Sequence, residues 1–392
     1  MANAHVAVLI PGFNIFGQER ALINVAEVLR QQEIEVTILL HREFGKEALL
    51  SAVTQRGFPS VFLPFHTIWS LGLFAKRPQE LIRNLICVRA ASKKLEEIVR
   101  SREIDILIAG NWAFAYYVLP ALRRLNIGFV YRHGDAPPVS NPVSRRIARA
   151  VFDRADLHVA NCEFLRRKLR KFAEIEDVTL IRNHPVGLDL IAPPTTSGRQ
   201  TPNRLLYAGQ MSVHKGVIVL LDAFDILAGQ YTNLELVLAG ATPGVNPRTP
   251  NSVIPRLKAS IARWGDRVRY SGHVDCVTDL FTDSTIHVCP SVWDDPSPNI
   301  IHEAKACSTP TVAFARGGIP ELIRTGIDGE IVVEETPERL AAAIAALINR
   351  PDAFNQARIE ARKSLNEFFD YDQHARAWKA VVDQATRGLN LR

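Results

Sequence analysis

The sequence predicts an α/β protein built from two open, doubly wound parallel sheets. Three observations carry that prediction. Short apolar stretches such as residues 5–10 (HVAVLI), 35–40 (EVTILL) and 204–208 (RLLYA) alternate with amphipathic stretches along the chain. Runs apolar at consecutive positions fit strands covered on both faces, as in a parallel sheet flanked by helices. The alternation pauses at residues 193–202 (PPTTSGRQTP), a stretch rich in Pro, Thr, Ser and Gly that reads as a linker, and then restarts. A length of 392 residues is also that of two to three domains with sizeable cores.

Taken in order, strands are expected at 5–10, 35–40, 60–63, 105–109, 128–132, 157–160 and 178–181. Helices are expected between them at 21–30, 79–100, 112–125, 144–153 and 164–172. After the linker, strands are expected at 204–208, 234–238, 268–270, 285–288 and 310–313. A helix should begin near Lys215, another should end near Trp264, and from Thr336 on the chain reads as mostly helical. Ser297 followed by Pro298 reads as an N-cap and a first helical residue, and Gly317-Gly318 as a turn opening a short helix. Ligands of such sheets bind outside the carboxyl ends of the strands, so the loops there are the places to look for chemistry.

Charge is uneven. Residues 1–195 hold 26 Lys and Arg against 19 Asp and Glu, a net +7, whereas residues 196–392 carry a net −1. The basic half, with the apolar–basic segment 62–83 (FLPFHTIWSLGLFAKRPQELIR), suggests an anionic or lipid-linked acceptor, or contact with an anionic membrane surface; an ordinary buried loop and helix is the competing reading. The five cysteines (87, 162, 276, 289 and 307) are scattered, with no CxxC, which reads as reduced thiols in a cytoplasmic protein. The start, MANAH, runs directly into a strand, so no signal peptide is expected. The apolar stretch 61–74 is broken by Pro64 and His66 and is too short to span a bilayer. Basic runs at Arg145-Arg146 and 166–171 lack interleaved aromatics, so nucleic acid is not an expected partner.

The richest stretch is 287–328 (HVCPSVWDDPSPNIIHEAKACSTPTVAFARGGIPELIRTGID), a strand, an acidic loop, a helix and a second strand. Asp295 and Glu303 lie eight apart, one before the helix N-terminus and one within its first turns. Such an end attracts anions through its N–H groups, and carboxylates beside it can hold hydroxyls. The duller reading is an Asp complementing the helix dipole and a solvated Glu. Lys215, in the loop GQMSVHKG after a strand, could neutralise a phosphate, or be a solvated turn lysine. Gly17 is a lone loop glycine, with no GxGxxG fingerprint, and His133 at a strand's carboxyl end is either functional or a core histidine. Asp370-Tyr371-Asp372 imitates a metal-binding motif but precedes a helix, where Asp is an ordinary cap; HEAKAC (302–307) lacks the second His of a metalloprotease helix. No metal site is expected.

In shared order, these pieces resemble the retaining, nucleotide-sugar-dependent glycosyltransferases of family 4, which have the GT-B fold of two Rossmann-like domains facing a cleft. The resemblance rests on Asp295-x7-Glu303 with HEAKA and STPTVA, on GGIPELI, and on YAGQMSVHKGV. PGFNIFGQERA, VYRHG, VANCEFLRRKL and IRNHPVGLD add weaker matches. It implies an acceptor-binding domain at 1–195, a nucleotide-sugar-binding domain at 203–371 and a last helix, 372–392, crossing back. It implies that Glu303 holds the ribose, Asp295 contacts the donor sugar, and main chain at Ser297, Pro298, Asn299 and Ile300 meets the sugar and β-phosphate. Lys215 would stabilise the departing diphosphate, with Gln210 beside it; Gly17 would admit the diphosphate and acceptor. His133 would lie beside the reacting sugar, and His273 and Val274 would meet the base. Catalytic roles thus fall to Lys215, His133 and Asp295. Three departures stand out: Asp295 replaces the family's Glu, Gln210 replaces an Arg, and Phe16-Gly17 replaces a Gly pair. The implied activity is metal-independent hexosyl transfer from a nucleoside diphosphate sugar to a hydroxyl, in polysaccharide, glycolipid or other glycoconjugate synthesis, by a cytoplasmic or peripherally membrane-bound enzyme. A nucleotide-sugar epimerase and a non-catalytic nucleotide-sugar-binding protein are the alternatives.

Overall fold

The computed structural model describes residues 4–11, 17–41, 47–64, 78–139, 141–184, 202–241, 253–274, 276–281 and 285–390. The chain forms two compact units, one of residues 1–184 with 371–392, the other of residues 185–370. The linker expected at 193–202 lies, except for Pro202, outside the described residues, as do residues 65–77 of the apolar–basic segment 62–83.

The first unit contains the strands β1 (His5–Leu9), β2 (Glu35–His41), β3 (Ser60–Leu63), β4 (Ile106–Ala109), β5 (Gly128–His133), β6 (Leu157–Ala160) and β7 (Thr179–Leu180). All pairings are parallel, in the order β3-β2-β1-β4-β5-β6-β7. The winding direction reverses between β1 and β4. Its helices are α1 (Gly17–Gln31), α2 (Glu47–Gln55), α3 (Pro78–Arg102), α4 (Trp112–Leu122), α5 (Pro142–Phe152) and α6 (Glu163–Ala173). Every residue of β1 and β4 is buried, which explains their uninterrupted apolar sequences. Phe129 and Tyr131 belong to the apolar cluster on one face of the sheet, Val130 to the cluster on the other. That second cluster includes Trp378 and Val382 of the last helix, α12 (Tyr371–Asn390), which packs on α1 and β5.

The second unit repeats the plan with β8 (Arg204–Ala208), β9 (Glu235–Ala239), β10 (Val268–Tyr270), β11 (Thr285–Cys289), β12 (Thr311–Phe314) and β13 (Gly329–Val332). Their order is β10-β9-β8-β11-β12-β13, all parallel, and the winding reverses between β8 and β11. The helices are α7 (Val217–Ala228), α8 (Val253–Trp264), α9 (Asn299–Ala306), α10 (Pro337–Ile348) and α11 (Pro351–Phe368).

Several elements differ from the sequence reading. Helix α2 and strand β13 were not foreseen; β13 carries Glu330 within a four-residue strand, too short to show a pattern. Helix α1 starts at Gly17, four residues earlier than its apolar periodicity, because its first turn is polar. The cap before α9 is Pro298, in extended backbone and without a side-chain bond, rather than Ser297. Gly317-Gly318 opens a single 3-10 turn, Ile319–Glu321. His133 is the last residue of β5 and does not follow it. Among the described residues no helix is long and apolar enough to cross a membrane.

Candidate functional site

In the second unit the loops leaving β8 and β11, the two strands at the winding reversal, meet. Such a pair of loops diverges to opposite faces of a sheet and leaves a crevice at the strand ends. Here they are tied by backbone: Val292 and Trp293 N–H groups donate to the His214 carbonyl at 3.0 and 3.2 Å. Gly216 makes the approach feasible. Its φ is +73°, and a Cβ built there would lie 1.7 Å from the Pro290 carbonyl oxygen. Only glycine fits both restrictions. The pairing places Lys215 against Asp295, whose side chains form an ion pair across the reversal point. Lys215 is one-third exposed while Asp295 is 8 % exposed, so the cation is the member reachable from solvent.

The loop after β12 completes the support. The Gly318 N–H donates to the Asp295 carbonyl at 2.9 Å, and a Cβ on Gly317, at φ +58°, would collide with that same oxygen at 2.2 Å. Next along the chain come buried Ser297 and Pro298, then α9, whose first N–H groups have no acceptor within the helix. Glu303, 8 % exposed, sits in the middle of α9. The strand-end loops of the second unit thus bring together Lys215 and Asp295, with the α9 N-terminus four residues further on and Glu303 buried within that helix. Gln210 lies half-buried in the β8 loop, its carbonyl accepting from the Tyr207 hydroxyl at 2.6 Å. His273 and Val274 follow β10, exposed and half-buried respectively.

One neighbour was missed from the sequence. Arg316 bonds Glu335 at 2.8 Å and approaches Asp294 to 3.8 Å, so the adjacent carboxylates 294 and 295 have separate cationic partners. An Arg in FARGG gives no hint of this. Cys289, at the end of β11, is buried, and burial together with the Asp295 charge pushes its thiol up to about 12. Cys307, after α9, is likewise raised to about 12, by burial and then by Glu303. Neither thiol is therefore a nucleophile at neutral pH. The chemistry on offer is a cation, carboxylates and oriented N–H groups, the set suited to binding a phosphate and hydroxyls and stabilising a departing anion.

His133 and Gly17 belong to the first unit. Gly17 opens α1 and is exposed, with no atom within 4 Å of a built Cβ, so no packing demands a glycine there. His133 is 1 % exposed. Its Nε2 bonds His158 Nδ1 at 3.0 Å, and its ring packs on Tyr131 and Phe152 at 4.6 and 4.9 Å. Burial, then the neighbouring His158 and Arg132, hold its pKa well below the ordinary value, so the imidazole is neutral. His133 is thus packed among aromatic rings at the end of β5. Tyr371 begins α12 directly after Asp370, and among the described residues no group of three or more His, Cys, Asp or Glu could hold a metal ion.

Two doubly wound parallel sheets are the architecture of the GT-B fold. Residues 15–184 match the family model described as Glycosyltransferase Family 4, and residues 202–350 the model described as Glycosyl transferases group 1. The chain belongs to glycosyltransferase family 4. Among its relatives is YtcC of Bacillus subtilis (strain 168), named as a glycosyltransferase, 23 % identical over 259 residues, which are 62 % of this chain and 63 % of that protein. The D-inositol 3-phosphate glycosyltransferase of Mycolicibacterium paratuberculosis is 26 % identical over 267 residues, 65 % of this chain and 58 % of that protein. The chain thus aligns with about three-fifths of each of these two relatives. In fold it is similar to Anabaena HepE crystallised with UDP, with TM-score 0.76 at 19 % identity, covering 97 % of this chain and 100 % of HepE.

Proposed function

We propose that the protein transfers a hexosyl group from a nucleoside diphosphate sugar to an acceptor hydroxyl, with retention of configuration and without a metal ion. One observation carries this reading: Lys215 is held by Asp295 at the winding reversal of the second unit, just before α9, the helix that carries Glu303. In this reading Glu303 accepts hydrogen bonds from the ribose hydroxyls. The N–H groups from Ser297 to Ile300 meet the sugar and β-phosphate. Lys215 and the helix N-terminus supply the positive charge that stabilises the leaving diphosphate. That Lys215 is the more exposed member of its ion pair supports its availability to an incoming phosphate. His273 and Val274 lie on the loop where the base would rest, and Gly17 beside the first unit's strand ends, where the acceptor would bind. HepE has been crystallised with UDP-glucose, which makes UDP-sugars the first donors to try.

The test is a binding and hydrolysis screen over UDP-, GDP- and ADP-sugars in the presence of a chelator, followed by chiral analysis of the product. At least one donor should bind and be slowly hydrolysed. Glu303→Ala should abolish binding of that donor in calorimetry; an unchanged affinity moves the ribose site elsewhere. Gln210, where the family has Arg, favours a second reading, a nucleotide-sugar-binding protein that binds donor but neither transfers nor hydrolyses it.

The first unit supports a lipid-linked acceptor. Ile82, Leu85 and Ile86 form a stripe on α3 that is 62, 55 and 60 % exposed, with Arg83 and Arg89 exposed on the same helix. Apolar side chains flanked by arginines fit the surface of an anionic bilayer, where a lipid-linked acceptor would reside. The protein is expected to float with vesicles containing anionic lipid and to stay behind with neutral ones; no flotation in either case ends the membrane reading.

A further inference from the structure

Arg132 is a buried cation with an unfilled hydrogen-bonding arm. It lies on β5, 3 % exposed, and points to the face of the sheet opposite His133. Its Nη2 donates to Asn183 Oδ1, and among the described residues its Nη1 has no partner. Asn161, also 3 % exposed, donates weakly to the same Asn183 oxygen at 3.5 Å, while its own Oδ1 has no partner. A buried donor of a charged group and a buried acceptor left open side by side are uncommon, because each loses its water without replacement.

The open arm has a definite direction. A Cβ built on Gly134, just past the end of β5, would lie 2.7 Å from Arg132 Nη1 and 3.8 Å from Gln18 Nε2. Gln18 belongs to the first turn of α1, and its amide donates to the carbonyl of Gly110, the residue after β4. The guanidinium therefore faces the N-terminal turn of α1, beside the winding reversal between β1 and β4. A helix N-terminus favours negative charge at the same place. Burial lowers the Arg132 pKa to about 10, offset by Asp135, so the group keeps its charge at neutral pH.

We propose that Arg132 binds an acidic group of the acceptor, a carboxylate or a phosphate, with the Asn161 carbonyl oxygen accepting from a hydroxyl beside it. The inference rests on the reading of the first unit as the acceptor half. It narrows that reading to an acidic acceptor, and it assigns recognition to a residue one position before His133 in the sequence and on the other face of the sheet.

Calorimetry on the full chain tests it with inorganic phosphate, glucose 6-phosphate, glucuronate and, as the neutral reference, glucose. The phosphates and glucuronate separate the two sources of acidity. At least one acidic ligand should bind and glucose should not. Arg132→Gln should weaken that binding about tenfold or more, the scale of losing a charge-assisted pair. Lys363→Ala, which removes an exposed cation of the second unit, should leave it unchanged. Should Arg132→Gln fail to fold, Gly134→Ala places a methyl 2.7 Å from the present position of Arg132 Nη1, displaces the guanidinium and should give the same loss. Binding that survives Arg132→Gln, binding lost equally in Lys363→Ala, or no acidic ligand bound at all overturns the proposal. None of these outcomes depends on the donor screen, so failure of the transferase reading is seen separately.

Discussion

Replacing Lys215 with alanine is expected to lower kcat by about 10²–10³-fold, the usual loss when one group stabilising developing negative charge is removed. The magnitude should lie toward the upper end because Gln210 stands where the family has a second cation, leaving Lys215 and the α9 N-terminus to meet the diphosphate. The fold should persist. The lysine side of the pair is one-third exposed, so water can reach the Asp295 carboxylate once the cation is gone, and the loss should stay at about 1–3 kcal/mol. Lys215→Arg, which keeps the charge on a differently shaped head, should recover part of the rate. Single-turnover kinetics with the donor found in the screen, alongside circular dichroism, measure this. Turnover within threefold of wild type in Lys215→Ala would remove the lysine from leaving-group stabilisation.

The second large effect is on stability. Lys305 of α9 is only 1 % exposed and pairs at 2.8 Å with Asp328, which is equally buried; it also donates to Ser364 of α11 at 2.7 Å. Asp328 further accepts from the Arg324 N–H at 2.8 Å. Burial lowers the lysine pKa, and the carboxylate restores part of it. Lys305→Met should leave a buried carboxylate short of its main cation and destabilise the second unit by about 3–5 kcal/mol. Adding Asp328→Asn removes the stranded charge while keeping an acceptor for Arg324, and should return at least half of the loss. Urea unfolding of the three variants measures it. A loss below 1 kcal/mol in Lys305→Met would show that this pair does not hold α9. Because α9 carries Glu303, weaker nucleotide binding should accompany the instability.

Much of the fold was legible because parallel strands covered on both faces leave a direct mark. The apolar runs at 5–10 and 204–208 coincide with β1 and β8, and the restart after the Pro-rich stretch separates the two sheets. What escaped notice was structure without such a mark. Helix α2 follows undescribed residues in a stretch of mixed polarity, and Ser297 looked a better cap than Pro298 because propensity ignores how the loop is held by Gly317. His133 illustrates the limit for single residues. Its position at a strand's carboxyl end suited either chemistry or packing, and only the neighbouring Phe152, Tyr131 and His158 reveal the packing.

By itself the sequence determined the two parallel sheets and the family, and it singled out Lys215, Asp295 and Glu303 as candidates, because strand periodicity and motif spacing are local properties. The tertiary structure alone decided which groups face each other. Lys215 and Asp295 are eighty positions apart and meet only because β8 and β11 are neighbours at the reversal of the second sheet. Arg132 became notable for the same reason: whether a guanidinium has found a partner depends on every chain segment that folds around it.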